Sequence, residues 1–275
     1  MASPENPAFE TPPGEILPPG APAPPPPLPP AGENPPWSGW DVLGIALVTI
    51  AAVMFFIILF TVAAQRLLFP EQAVLEVAKL HPVIVVGAQV IAYLIVLIFM
   101  FVIVRFARHA HFWGSLRWNW PRNWWSYLLG GVLLSFGLQL FAHLLPIPKN
   151  LPVDTFFRTP TEAWALAVFG ITLAPLMEEL FFRGFLYPVL ARRLGIAASV
   201  FLTALGFSLL HASQLGRAWA PVLVIFLVGV ALTLVRAITK SVAAGVLMHA
   251  AYNFTIFVLM FIYTDEFRHL EKLSQ

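Results

Sequence analysis

Residues 42–64 read VLGIALVTIAAVMFFIILFTVAA, and residues 82–104 read PVIVVGAQVIAYLIVLIFMFVIV. Neither stretch contains Asp, Glu, Lys or Arg. The hydrocarbon core of a bilayer is about 30 Å thick, and about 20 helical residues are enough to cross it. Both stretches exceed that length, so they predict two transmembrane helices.

Apolar stretches of this kind continue to the end of the chain. A third span is predicted at residues 126–145, and four more at about residues 163–182, 196–210, 218–235 and 242–263. Of the 275 residues, 59% are hydrophobic and only 11% are charged, against about 25% charged residues in soluble domains. The predicted fold is an all-α, polytopic membrane bundle of about seven transmembrane helices.

Residues 1–36 differ from the rest of the chain, because they hold 15 of the 25 prolines and no Lys or Arg. Such a segment cannot bury enough apolar surface to fold, so we predict a disordered Pro-rich tail. It lacks the features of a signal peptide, and the first span is expected to be retained. The other predicted divisions are N-terminal membrane helices at 37–158, a core at 159–263 and a C-terminal tail at 264–275.

Charge and cysteine content narrow the possible functions. The chain has no Cys, which excludes disulfides, thiolate metal sites and cysteine nucleophiles. Its net charge is +2, but the basic residues flank apolar stretches, so we predict no nucleic-acid partner. Residues 105–125 mix Arg with Trp, as is typical of a membrane interface, and four Arg here place this segment and the N-terminus on the cytoplasmic side.

Two adjacent carboxylates lie inside the fourth predicted span, in the sequence APLMEELFFRG at residues 174–184. A charge at the bilayer centre costs about 3 kcal/mol on insertion scales, so such residues usually face a protein interior and mark function. Glu179 and Arg183 are four positions apart and can form an ion pair on one helix face. Glu178 points about 100° away and needs another partner, which makes it a candidate functional residue.

The fifth and seventh predicted spans supply imidazole and amide groups. Phe207 and His211 are four positions apart, as are His249 and Asn253, so each pair shares a helix face. Glu178 precedes residue 194 by 16 positions, and His211 follows it by 17. An antiparallel helix pair that turns near residues 194 and 195 therefore brings Glu178 and His211 to one depth.

In these residues the sequence resembles the CPBP family of intramembrane proteases, which contains the type II CAAX prenyl endopeptidases and bacterial relatives linked to bacteriocin processing and self-immunity. The family motifs EExxxR, FxxxH and HxxxN match, in order, Glu178, Glu179 and Arg183, then Phe207 and His211, then His249 and Asn253. The resemblance covers roughly residues 160–260. It implies that residues 159–263 are a catalytic core, with a conical cavity open to the cytosolic side, in the cytoplasmic membrane of a bacterium.

Residue chemistry and the resemblance together imply an intramembrane endopeptidase. Peptide hydrolysis needs a base that activates water and donors that stabilise the oxyanion. We assign Glu178 as the general base and His211 as its partner in positioning the water. His249 and Asn253 are assigned as donors to the oxyanion.

Alternatives remain for the other site residues. Glu179 and Arg183 are expected to form a structural pair that orients the site, although the adjacent glutamates could exchange roles. No cofactor is expected; the alternative is zinc, for which Glu178, His211 and His249 would be the ligands, with water in the fourth position.

The expected partners are the lipid bilayer and a membrane protein or peptide substrate, and no oligomeric state is predicted. Two other functions are compatible with buried Glu and His. One is a non-catalytic immunity or scaffold protein that uses the same cavity for binding, and the other is a proton-coupled transporter. The first three spans contain no comparable motif, which argues against a transporter built from repeated halves.

Overall fold

The computed structural model describes residues 33–148 and 150–274, and helices are the only regular secondary structure in these ranges. The α-helices are, in chain order, α1 (Gly39–Leu67), α2 (Val74–Leu80), α3 (Pro82–Val102), α4 (Phe112–Ser115), α5 (Trp124–Ala142), α6 (Pro160–Ile171), α7 (Leu173–Glu179), α8 (Tyr187–His211), α9 (Trp219–Thr239) and α10 (Val242–Tyr263). One π-helical segment, Ile103–Ala107, continues α3, and another, Leu180–Leu186, joins α7 to α8. The all-α prediction is confirmed, while residues 1–32 of the predicted tail lie outside the described residues.

Within the described residues, six helical segments are long and apolar enough to cross a membrane. They are Gly39–Leu67, Pro82–Ala107, Trp124–Ala142, Pro160–His211, Trp219–Thr239 and Val242–Tyr263. The fourth contains 52 residues. As a straight helix it would be about 78 Å long, far more than a hydrocarbon core of about 30 Å can accommodate.

This fourth segment folds back on itself. Gly195, within α8, has φ 76° and ψ 174°, a conformation that breaks the helix and that glycine adopts without a Cβ clash. Glu178 and His211 would lie about 50 Å apart on a straight helix. Their side chains in fact approach to 4.0 Å. The segment therefore makes two antiparallel passes, as predicted from the expected turn at residues 194 and 195, and the six segments give about seven crossings.

The helices pack mainly in three pairs, α1 with α3, α5 with α10, and α8 with α9. Large apolar side chains point away from these contacts. Phe55 is 59% exposed and Ile98 is 62% exposed. A soluble protein rarely exposes so continuous an apolar surface, whereas a membrane protein places it against lipid. The chain is a multi-pass integral membrane protein.

The interfacial segment, residues 105–125, packs against the ends of two spans. Arg108 pairs with Asp41 in the first turn of α1, at an N–O distance of 2.6 Å. The carbonyl of Arg117 accepts a hydrogen bond of 3.1 Å from the amide of Val242, the first residue of α10. The start of α1 and the start of α10 therefore lie at the same end of the bundle.

Helices α5 and α10 approach each other closely at Gly131. A Cβ atom at this position would lie 2.2 Å from the carbonyl oxygen of Met248 and 2.8 Å from the Cβ of Ala251. Small residues are typical of membrane helix interfaces, since they let the backbones come together. Because α10 also carries His249, this contact helps to position a predicted site residue.

We expect Gly131→Ala to destabilise the bundle by about 1–3 kcal/mol, because overpacking forces the two backbones apart. Gly137→Ala is the matched control on the same helix, since no atom lies within 4 Å of a Cβ there. Thermal unfolding in detergent, followed by circular dichroism, compares the two. Equal unfolding temperatures would contradict the close contact between α5 and α10.

Candidate active site

The two glutamates lie at the end of α7, directly before the π segment Leu180–Leu186. As consecutive helical residues they point in different directions. The side chain of Glu179 is fully buried, whereas that of Glu178 is 21% exposed. The two carboxylates therefore have different surroundings and different access to water.

Glu178 lies against two imidazoles that come from two other parts of the bundle. Its Oε1 is 4.0 Å from Nε2 of His211, at the end of α8, and its Oε2 is 3.7 Å from Nε2 of His249, in α10. Both distances exceed a direct hydrogen bond and are in the range that a bridging water spans. The partner that Glu178 was predicted to need is thus a pair of histidines.

The orientation of His211 is set by its own helix. Its Nδ1 lies 2.8 Å from the carbonyl oxygen of Phe207, one turn earlier. A carbonyl can only accept, so Nδ1 carries the proton, and Nε2 of the neutral ring is left as an acceptor that faces Glu178. The four-residue FxxxH spacing therefore places the backbone carbonyl of Phe207 where it can orient His211. The ring of Phe207 makes a separate contact with His249, with centroids 5.7 Å apart.

Glu179 is the centre of a buried hydrogen-bond network. Its Oε1 is 2.8 Å from Nη1 of Arg183 and 3.0 Å from Nδ1 of His249. Arg183 also donates to the hydroxyl of Thr233 at 3.2 Å and to the carbonyl of Gly229 at 3.0 Å, both in α9. The predicted ion pair of Glu179 and Arg183 is confirmed, and it joins three helical segments.

Asn253 lies one turn after His249 and is directed toward α6. Its Nδ2 donates a hydrogen bond of 2.6 Å to the carbonyl oxygen of Gly170. An amide nitrogen carries two hydrogens, so a second N–H is available. The structure thus brings Glu178, Glu179 and both histidines into direct proximity, whereas the contact of Asn253 is with the backbone of α6.

Residues 160–255 match the family model described as Type II CAAX prenyl endopeptidase Rce1-like. The chain carries an Rce1-like domain. The predicted resemblance to the CPBP family of CAAX-type intramembrane proteases is confirmed over these residues, and this family indicates a membrane protease. No curated protein and no solved structure matches the chain.

A cavity of about 300 Å³ adjoins Glu178 in the Rce1-like domain. Its wall includes α1 and α3, which precede the matched range, and most of its lining is apolar. Tyr93 is an exception. Gln89 donates to the Tyr93 hydroxyl at 3.1 Å, so the hydroxyl proton can be donated to a molecule in the cavity.

Gly245 is a further residue on which the Rce1-like site depends. A Cβ at this position would lie 2.6 Å from Oε2 of Glu179. That buried oxygen has no hydrogen-bond partner among the described residues, and a side chain at position 245 would displace it. Gly245 lies one turn before His249, and this spacing is the sequence signal that could have identified it. Tyr93 lies alone in an apolar span, and no sequence pattern points to it.

We expect Arg183→Met to destabilise the Rce1-like domain by about 3–5 kcal/mol, because removing one partner of a buried ion pair leaves an uncompensated charge. Adding Glu179→Gln to this variant should recover part of that loss, since the remaining group is neutral. The measurement is unfolding in detergent for the two single variants and the double variant.

Arg193→Met provides the control for Arg183→Met, because Arg193 is exposed in the same helical segment. It should leave the unfolding temperature nearly unchanged. A loss of stability as large as that of Arg183→Met would mean that the buried pair has no special role.

Proposed function

We propose that this protein is an intramembrane endopeptidase in which Glu178 activates water to attack a peptide bond of a membrane-associated protein or peptide. The observation that supports it is the convergence of Glu178, His211 and His249, with Glu178 also lining a mostly apolar cavity. The Rce1-like match supports the protease class, and the geometry supports the particular residues.

The nucleophilic water is proposed to lie between Glu178 and His211. The two acceptors, Oε1 of Glu178 and Nε2 of His211, are 4.0 Å apart, and a water can donate one hydrogen to each. Its oxygen lone pair is then free to attack the carbonyl carbon. Glu178 takes the proton as general base and returns it to the leaving amine as general acid.

His249 is proposed to stabilise the oxyanion in its doubly protonated form. Its Nδ1 is engaged with Glu179, so a hydrogen on Nε2 requires the imidazolium. Oε1 of Glu179, 3.0 Å from Nδ1, accepts the first of the two hydrogens. With His249 charged and both carboxylates ionised, the negative charges of Glu178 and Glu179 are matched by the positive charges of His249 and Arg183.

This arrangement supports different roles for the adjacent glutamates. Glu178 is the partly exposed carboxylate and adjoins the cavity, whereas Glu179 is fully buried and holds Arg183 and His249. We therefore assign Glu178 as the base and Glu179 as the residue that orients His249. The second N–H of Asn253 is proposed as an additional donor to the oxyanion.

The apolar cavity lining supports a substrate with an apolar segment next to the scissile bond, as a membrane peptide has. For the location we propose the cytoplasmic membrane of a bacterium. An N-terminus on the cytoplasmic side is supported by the Arg-rich segment 105–125, which lies at the same end of the bundle as the start of α1.

Glu178→Gln should lower kcat by about 10²–10⁴-fold, the usual contribution of general acid–base catalysis, because the amide cannot take a proton from water. Glu76→Gln, at an exposed position in α2, is the control and should cleave like the wild type. The measurement is cleavage of a fluorogenic peptide library by each protein purified in detergent. Equal cleavage by all three would rule out Glu178 as the base. Peptide binding without cleavage by the wild type would favour the scaffold function.

We propose that the reaction uses no metal, with zinc as the alternative. Among the described residues, no three His, Asp or Glu side chains are grouped so that they could hold a metal ion. On this proposal, cleavage should persist after treatment with a chelator and dialysis. Loss of activity that is restored by added zinc would instead assign Glu178, His211 and His249 as zinc ligands.

A further inference from the structure

Residues 33–37, here called the N-terminal strap, pack against the bundle just before α1. Trp37 is 1% exposed and Pro35 is buried, although this segment follows the Pro-rich part of the sequence. Residues 33–36 were predicted to belong to the disordered tail. Their burial raises the question of what the strap holds in place.

The first anchor of the strap is a contact with the segment that follows the two glutamates. Nε1 of Trp37 donates a buried hydrogen bond of 3.0 Å to the carbonyl oxygen of Phe185. The Trp37 and Phe185 rings also pack, with centroids 4.6 Å apart. Phe185 lies in the π segment Leu180–Leu186, which begins directly after Glu179 and contains Arg183.

A π segment sets the rotation of the residues on either side of it. Its i to i+5 hydrogen bonds place more residues in a turn than an α-helix does, and such segments are rare. A change to regular α-helix would rotate Glu178 and Glu179 relative to the start of α8, from which the chain continues through the turn at Gly195 to His211. The distances within the site therefore depend on the π geometry being kept.

The second anchor acts on the end of the same segment. Glu33 binds the guanidinium of Arg236 through both oxygens, at 2.8 and 3.1 Å, and lies 3.4 Å from Arg117. Arg236 is 1% exposed, and its guanidinium lies over the ring of Tyr187, the first residue of α8, at 5.4 Å. Burial alone would raise the pKa of Glu33, but the hydrogen bonds and charge of Arg236, with the charge of Arg117, lower it, so the carboxylate is ionised at neutral pH.

We propose that the strap holds the π segment in the geometry that places Glu178 against His211 and His249, with Trp37 as a positioning residue. Trp37 and Glu33 act on residues 185 and 187, at the junction between the segment that carries Arg183 and the helix that carries His211. Neither touches the reacting groups. This proposal rests on the proposed function of Glu178, and it assigns a role to a part of the chain that precedes the Rce1-like match.

The test uses full-length protein in detergent and the variant Trp37→Phe, which keeps an aromatic ring but removes the indole N–H. Trp40→Phe is the matched control, since Trp40 is 81% exposed three positions later. The kinetic constants kcat and KM are measured on a peptide that the wild type cleaves. Amide hydrogen exchange is followed at residues 180–187, with residues 124–142 of α5 as an internal reference.

For Trp37→Phe we expect kcat to fall about 10- to 100-fold with little change in KM, because a displacement of ~1 Å at reacting groups can cost that much. Exchange at residues 180–187 should become faster, and exchange in α5 should not. Trp40→Phe should change neither quantity. Glu33→Gln, which removes the charge but keeps the shape, should act in the same direction as Trp37→Phe.

A wild-type kcat in both Trp37→Phe and Glu33→Gln would overturn the positioning role. So would faster exchange throughout the chain, which indicates general destabilisation. If the wild type cleaves no peptide, the proposed function of Glu178 fails and the positioning role fails with it. The exchange at residues 180–187 still decides, on its own, whether the strap holds the π segment.

Discussion

The structure depends on keeping two adjacent carboxylates inside a membrane bundle. In a medium of low polarity an isolated ionised carboxylate is very unfavourable, so each must have a partner. Glu179 has Arg183 and His249, and Arg183 in turn is held by the backbone and a hydroxyl of α9. This network joins α7, α9 and α10 and leaves Glu178 facing the cavity. Glu179, which is shielded from water, and Glu178, which is proposed to activate water, are thus adjacent in sequence although they need opposite surroundings.

Much of this arrangement could be predicted from spacing. The four-residue interval between Glu179 and Arg183 predicted their ion pair, which is present at 2.8 Å. Counting residues on either side of position 194 predicted that Glu178 and His211 meet, because an antiparallel turn places equal intervals at equal depth. The apolar stretches predicted membrane-spanning helices, because each is about as long as a helix must be to cross the bilayer.

Other features could not be predicted, because they depend on which helices become neighbours. Gly245 matters only because α10 lies against Glu179, and Thr233 only because α9 lies against Arg183. In the sequence, Trp37 looks like an ordinary aromatic residue near a membrane interface, yet its indole donates a hydrogen bond to the carbonyl of Phe185, 148 positions later. Tyr93 likewise has no local pattern, and its place in the cavity follows from the packing of α3 near α7. Contacts of this kind are set by tertiary structure, which periodicity within one helix does not encode.

The cavity wall has an evolutionary consequence. Thr49 and Tyr93 line it from α1 and α3, outside residues 160–255, whereas the carboxylates and imidazoles all lie within that range. Mutations in the first two spans can reshape the chamber next to Glu178 without altering any acid or base. Part of the chamber wall beside the proposed catalytic groups is therefore encoded outside the matched range, and lineages that share those groups are free to diverge there.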